Sequence, residues 1–164
     1  MASFEFLAII LTGLGLTASI IYYASILRNA NKTQQLQLET RQAQLFMQVY
    51  DRWNSSEFIN FWFKFSSTDL DKYEFGTDKE LDVAFRAIGR FMEGIGVLVK
   101  RKLIDVEFVD DLMSGNIIEF WESSKEWLID FRTQTNYPQY GEWVEYLYNQ
   151  IKPIVEQQYP ETAK

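Results

Sequence analysis

The sequence predicts an all-α protein: one transmembrane helix continuing into a stalk, then a compact bundle of four to five helices. Three observations carry this. Phe6 to Leu27 is a single uncharged run. Downstream, apolar residues recur at helical spacing. Strand-like alternation appears nowhere. The expected organisation is an anchor over 1–28, a helical stalk over 29–53, a bundle over 54–160 and a tail over 161–164.

The anchor comes first. A membrane helix needs about 20 apolar residues, and the run Phe6–Leu27 supplies them. Thr12, Thr17, Ser19 and Ser25 interrupt it only with hydroxyls, which can return to the helix backbone. A cleaved signal peptide would want basic residues ahead of a shorter run and a small-residue cleavage site. Met1–Glu5 holds no basic residue, and no such site follows Tyr22-Tyr23. Tyr22, Tyr23, Arg28 and Lys32 suit a membrane interface. Arg28, Lys32 and Arg41 lie after the run and no basic residue precedes it. The expected orientation is therefore N-terminus outside and C-terminal domain in the cytoplasm of a cell membrane. Gly13/Thr17 and Gly15/Ser19 form two small-xxx-small pairs, the spacing that lets a second helix approach in lipid.

The stalk follows without a linker. Asn29–Trp53 is rich in glutamine, leucine, alanine and arginine, and Leu38, Gln42, Leu45 and Val49 make a helical stripe. One helix from about Phe4 to Trp53 is expected, roughly 75 Å long at 1.5 Å per residue. Its glutamines read as a solvated face.

The bundle helices are read from their caps and stripes. Asn54-Ser55-Ser56-Glu57 opens a second helix, with Phe58, Phe61, Trp62 and Phe65 on one face. Thr77-Asp78-Lys79-Glu80 reads as a capping box for a long helix to about Lys102. Leu81, Phe85, Ile88, Met92, Ile95 and Val99 are its core face. Gly89 and Gly96 lie two turns apart on it, and close helix packing would explain them. Asp105 caps a short helix ending near Gly115. A further helix spans Ile117–Phe131. Asn136-Tyr137-Pro138-Gln139 breaks the chain. A last helix covers about Gly141–Gln158, with Val144, Leu147, Ile151 and Ile154 inward. Pro153 is expected to bend it or end it early.

Composition excludes more chemistry than it suggests. The 164 residues contain no cysteine and no histidine. Disulfides, thiol catalysis, Ser-His-Asp triads and imidazole metal sites are therefore absent. The formal net charge is −7, a poor match to nucleic acid. No cofactor, metal or catalytic residue is expected.

Asp69, Asp71, Tyr73, Thr77 and Glu80 fall at calcium-loop positions. Glu74 occupies the position that needs glycine, so the match fails. Glu119, Glu122 and Glu126 read as a solvated acidic face, and Glu107, Asp110 and Asp111 as a surface cluster. Arg86, Arg90 and Glu93 are the one candidate polar network, with Arg90 and Glu93 spaced to pair.

Two stretches carry a resemblance. One is Tyr50-Asp51-Arg52-Trp53-Asn54-Ser55. The other is Phe91-Met92-Glu93-Gly94-Ile95-Gly96, followed by Leu103-Ile104-Asp105 and Phe120-Trp121-Glu122. With the anchor, they resemble an uncharacterised bacterial and archaeal family of short single-pass membrane proteins with a helical cytoplasmic domain. The resemblance implies no catalytic residue.

The expected role is a non-catalytic, membrane-anchored interaction protein. It would be an accessory subunit of a larger membrane complex or a self-associating scaffold, with lipid, membrane subunits or itself as partners. The alternatives are a tethered ligand-binding or enzymatic domain using carboxylates and arginine, and a single-pass sensor whose stalk transmits a signal.

Overall fold

The computed structural model describes residues 2–70, 73 and 76–160, and no strand occurs among them. Five helices follow in order: α1 (Ala2–Trp53), α2 (Ser56–Ser66), α3 (Lys79–Lys100), α4 (Val106–Thr135) and α5 (Glu142–Gln158). The chain divides into two units, Met1–Arg41 and Gln42–Lys164. The division falls within α1, so the second unit begins before the expected start of the bundle at residue 54.

The first unit is a single helical stretch without a core. Its apolar window has a mean hydropathy of 2.0 and none of it is buried by the rest of the chain. By length and composition it can cross a membrane. The hydroxyls of the run bond their own helix, as do those of Thr33 and Thr40 beyond it. Thr12 donates to the Ala8 carbonyl at 2.8 Å, Thr17 to Gly13 at 2.9 Å, Ser19 to Gly15 at 2.8 Å and Ser25 to Ile21 at 2.9 Å.

The second unit draws its core from every helix. The last turns of α1 belong to it: Phe46 is fully buried and Trp53 nearly so. Of the expected stalk stripe, Leu38 is exposed and Leu45 and Val49 are half-buried. The stripe is displaced toward Phe46, which stacks on Phe108 with centroids 5.9 Å apart. Gln42 leaves the solvated face and donates to the Lys102 carbonyl at 3.0 Å. On α2, Phe58 and Phe65 are buried and Phe61 and Trp62 pack against the core, as their spacing requires. Ser55 is the N-cap, its Oγ accepting from Phe58 N at 3.4 Å.

All six core positions expected on α3 are buried. The cap is displaced by one residue: Asp78, not Thr77, takes the N-cap. Its Oδ1 accepts from Glu80 N at 3.0 Å and Leu81 N at 3.1 Å. A carboxylate there also favours the positive end of the helix dipole.

The separate helices expected either side of Gly115 are one helix, α4. Val109, Met113, Ile117, Phe120, Ser124 and Leu128 make an unbroken buried stripe through that point. Gly115 is exposed, and a Cβ there would meet nothing within 4 Å. Its backbone cost of about 1 kcal/mol is outweighed by the continuous apolar face. Asn136 ends α4 with φ 51°.

Pro153 does not end α5. The helix passes through it to Gln158, with Ile151 buried before it and Val155 packed after it. Asn149, whose carbonyl loses its donor, is exposed and open to water. α3 packs against both α2 and α5, and α4 against α5.

Candidate functional site

Gly96 fixes how α3 and α5 meet. A Cβ at Gly96 would lie 2.3 Å from the Trp143 carbonyl oxygen and 2.9 Å from its carbon. The backbone at the start of α5 therefore rests directly on α3, the close packing expected of this glycine. Gly89, two turns earlier, is different. A Cβ there would sit 3.5 Å from the Phe120 ring, an ordinary contact. Gly89 borders open space, a cleft of about 620 Å³ between α3, α4 and the α4–α5 connection.

The cleft gathers the polar residues singled out above. Arg86, Arg90 and Glu93 all line it, with Gly89 among them. Its apolar wall is a run of touching rings. Phe85 meets Phe120 at 5.3 Å and Trp127 edge-on at 5.0 Å. Trp127 stacks on Phe131 at 5.1 Å, and Phe131 meets Tyr140 at 4.6 Å. Gln134 and Gln139 add amides. Phe85 was legible as part of the α3 core face, but Trp127 and Tyr140 were not. Trp127 falls outside the α4 core stripe, and Tyr140 sits in the connection. The aromatic density of Trp127–Tyr140 was the available signal.

The expected Arg90–Glu93 pair does not form. Glu93 instead reaches α5, where its Oε1 accepts from Trp143 N at 3.2 Å. The reason is local. α5 begins at Gly141, whose φ of 73° suits the turn but which has no side chain to cap the helix. Glu93 supplies the missing acceptor from the neighbouring helix. Burial pushes the Glu93 carboxyl above its usual value, opposed by the N–H groups of Val144 and Trp143. Tyr140 is likewise raised by burial, against the pull of Arg86 and Arg90. Arg86 and Arg90 are both exposed at the cleft. Arg132 sits behind it, its Nε donating to the Tyr140 carbonyl at 2.6 Å and its Nη1 to Glu145 at 2.7 Å. Its Nη2 is buried without a partner.

No group of three or more acidic side chains among the described residues could hold an ion. Of the calcium-loop positions, Asp71 lies outside the described residues. Tyr73 is hydrogen-bonded to the Asp82 carboxylate, and burial together with that bond pushes its hydroxyl up to about 12. A tyrosine held protonated is not an anionic ligand. Glu119, Glu122 and Glu126 are exposed, as expected of a solvated face. Glu122 pairs with Lys152 at 2.7 Å, which lowers its carboxyl below the usual range. The expected surface cluster of Glu107, Asp110 and Asp111 is corrected at one member. Asp110 is 5% exposed, and its Oδ2 accepts from Gln158 Nε2 at 3.2 Å. Packing of the α5 C-terminus over the start of α4 buries it.

In the first unit, Gly13, Gly15, Thr17 and Ser19 are exposed, and a Cβ at either glycine would meet nothing within 4 Å. Tyr22, Tyr23, Arg28 and Lys32 are also exposed, and the two tyrosine rings meet edge-on at 5.7 Å.

A domain of unknown function, DUF4760, matches residues 5–151. The chain belongs to that family. The match takes in the apolar run, every residue lining the cleft and the bundle as far as Ile151 in α5. No curated protein and no solved structure matches the chain.

Proposed function

We propose that this chain is a single-pass membrane protein whose cytoplasmic helical domain works by association, not by catalysis. Its partner would be a second copy or another membrane subunit. The carrying observation is the apolar stretch of α1, which nothing among the described residues buries. Leaving so much apolar surface in water is strongly unfavourable. Lipid and neighbouring helices are the environment that suits it. The basic residues Arg28, Lys32 and Arg41 after the run support a cytoplasmic bundle in a cell membrane. Gly13, Gly15, Thr17 and Ser19 support close contact with another helix, since the two hydroxyls are already returned to the Gly13 and Gly15 carbonyls. The test is crosslinking in intact native membranes. A discrete higher-mass species is expected, and recovery of monomer alone would count against association.

A second reading is favoured by the cleft. About 620 Å³ lies within the usual range for small-molecule sites, and its wall is aromatic with a few charged groups. In this reading the tethered domain binds a ligand beside Arg86, Arg90 and Glu93. Filling the cleft with Gly89→Leu should then abolish binding of any molecule it takes.

A further inference from the structure

The cleft combines two features. One is the continuous wall of rings from Phe120 through Phe85, Trp127 and Phe131 to Tyr140. Flat aromatic surfaces attract a flat aromatic guest through offset and edge contacts. The other is the charge at its mouth. The charged residues lining it are Arg86 and Arg90 against the single carboxylate of Glu93. Glu93 is engaged by the Trp143 N–H and faces the positive end of α5. Arg90 makes no hydrogen bond or ion pair among the described residues. A guanidinium presents a planar fork of donors that matches an oxyanion.

We propose that this cleft binds a flat aromatic anion, a carboxylate or phosphate monoester, with its rings against Trp127, Phe131 and Tyr140 and its oxyanion on Arg90. Arg86 adds to the positive field at the same mouth. This inference rests on the ligand-binding reading of the cleft and adds the chemistry of the guest. Gly89 keeps the space open. The Cβ of a larger residue would fit against Phe120, and its further atoms would occupy the guest's position.

The test uses the full chain in nanodiscs of phosphatidylcholine, with equilibrium dialysis against three probes and protein-free nanodiscs as the lipid blank. The probes are 2-naphthoate, 2-naphthyl phosphate and the neutral 2-naphthalenemethanol. At least one anion should bind on the order of tenfold tighter than the alcohol, the worth of a charged hydrogen bond. The tighter of the two identifies the oxyanion. Arg90→Gln, at an exposed position, should bring that anion down to the level of the alcohol. Gly89→Leu, with its fold checked by circular dichroism, should abolish binding of all three. Equal binding of alcohol and anions, lost in Gly89→Leu, would overturn the anion inference and leave the cleft reading standing. So would an anion preference that survives Arg90→Gln. No binding of any probe to the wild-type chain would overturn both.

Discussion

Residues 2–41 and the unit that begins at Gln42 are built from the same material and solve opposite problems. Both are helical and rich in large apolar side chains. In the second unit nearly every such stripe is covered by another helix: Phe46, Phe85, Ile88, Phe120 and Leu147 are all buried. In the first, Leu11, Leu16, Ile20 and Ile21 are all exposed by more than half. The contrast also shows in the polar atoms. In the first unit the hydroxyls bond the backbone of their own helix. In the second, Ser124 and Thr133 likewise bond their own helix, but other side chains reach across: Glu93 caps α5 and Glu122 on α4 holds Lys152 on α5.

The largest expected effect would break this contrast from the first side. Leu16→Arg places a charge in the apolar run, which costs about 2.5–3.5 kcal/mol for insertion. The variant should shift from the membrane pellet to the soluble or degraded fraction after alkaline extraction. Release of the wild-type chain itself into the soluble fraction would remove the anchor from the account.

Next is Gly96→Ala. The added methyl meets the Trp143 backbone, which cannot yield as a side chain can. Overpacking of this kind costs about 1–3 kcal/mol, read by denaturant unfolding. Gly115→Ala is the sharpening control. It meets open space and should stabilise by up to about 1 kcal/mol.

Glu93 gives a smaller effect with a defined pH dependence. Glu93→Ala leaves the Trp143 N–H without its acceptor and should cost about 1–2 kcal/mol. Glu93→Gln keeps an acceptor and should be tolerated. The wild-type carboxyl is raised above its ordinary 4.5 by burial, so the folded state favours its protonated form. That contribution is complete below pH 4.5 and fades as the pH rises through the raised value. In Glu93→Gln this decline should vanish from the stability profile. Persistence of the same slope would assign it to another group.

Smallest is Glu122→Gln. Its pair with Lys152 is partly exposed, so the loss should be within about 0.5 kcal/mol at neutral pH. The sign is opposite to that of Glu93. The Glu122 carboxyl is lowered, so its contribution is present above 4.5 and lost as the pH falls through the lowered value.

Local signals were legible where periodicity and local chemistry agreed. The α3 face was readable because six apolar residues kept one period and a cap preceded them. The break at Asn136–Gln139 was readable from its turn residues. Gly115 misled because it is a local breaker overruled by burial on both sides of it, at Met113 and Ile117, whereas the last helix runs to Gln158 as expected, with Pro153 inside it. The displaced stripe near Phe46 depended on which helix would lie beside α1, which spacing alone does not say. At the site, the arginines and Gly89 stood out as residues. Glu93's true partner did not, because the Trp143 N–H is a backbone group fifty residues away along the chain. Sequence patterns describe side chains and are silent on where an uncapped helix will need an acceptor.

The absence of cysteine makes the central claim directly testable, because each introduced thiol is the only one in the chain. Single-cysteine variants Ser3→Cys, Leu16→Cys and Asn149→Cys would be exposed in intact cells to a membrane-impermeant maleimide, before and after permeabilisation. A membrane-spanning α1 with a cytoplasmic bundle predicts labelling of position 3 in intact cells, of position 149 only after permeabilisation, and of position 16 in neither. Ready labelling of position 16 would contradict the membrane anchor. Labelling of position 149 in intact cells would reverse the orientation.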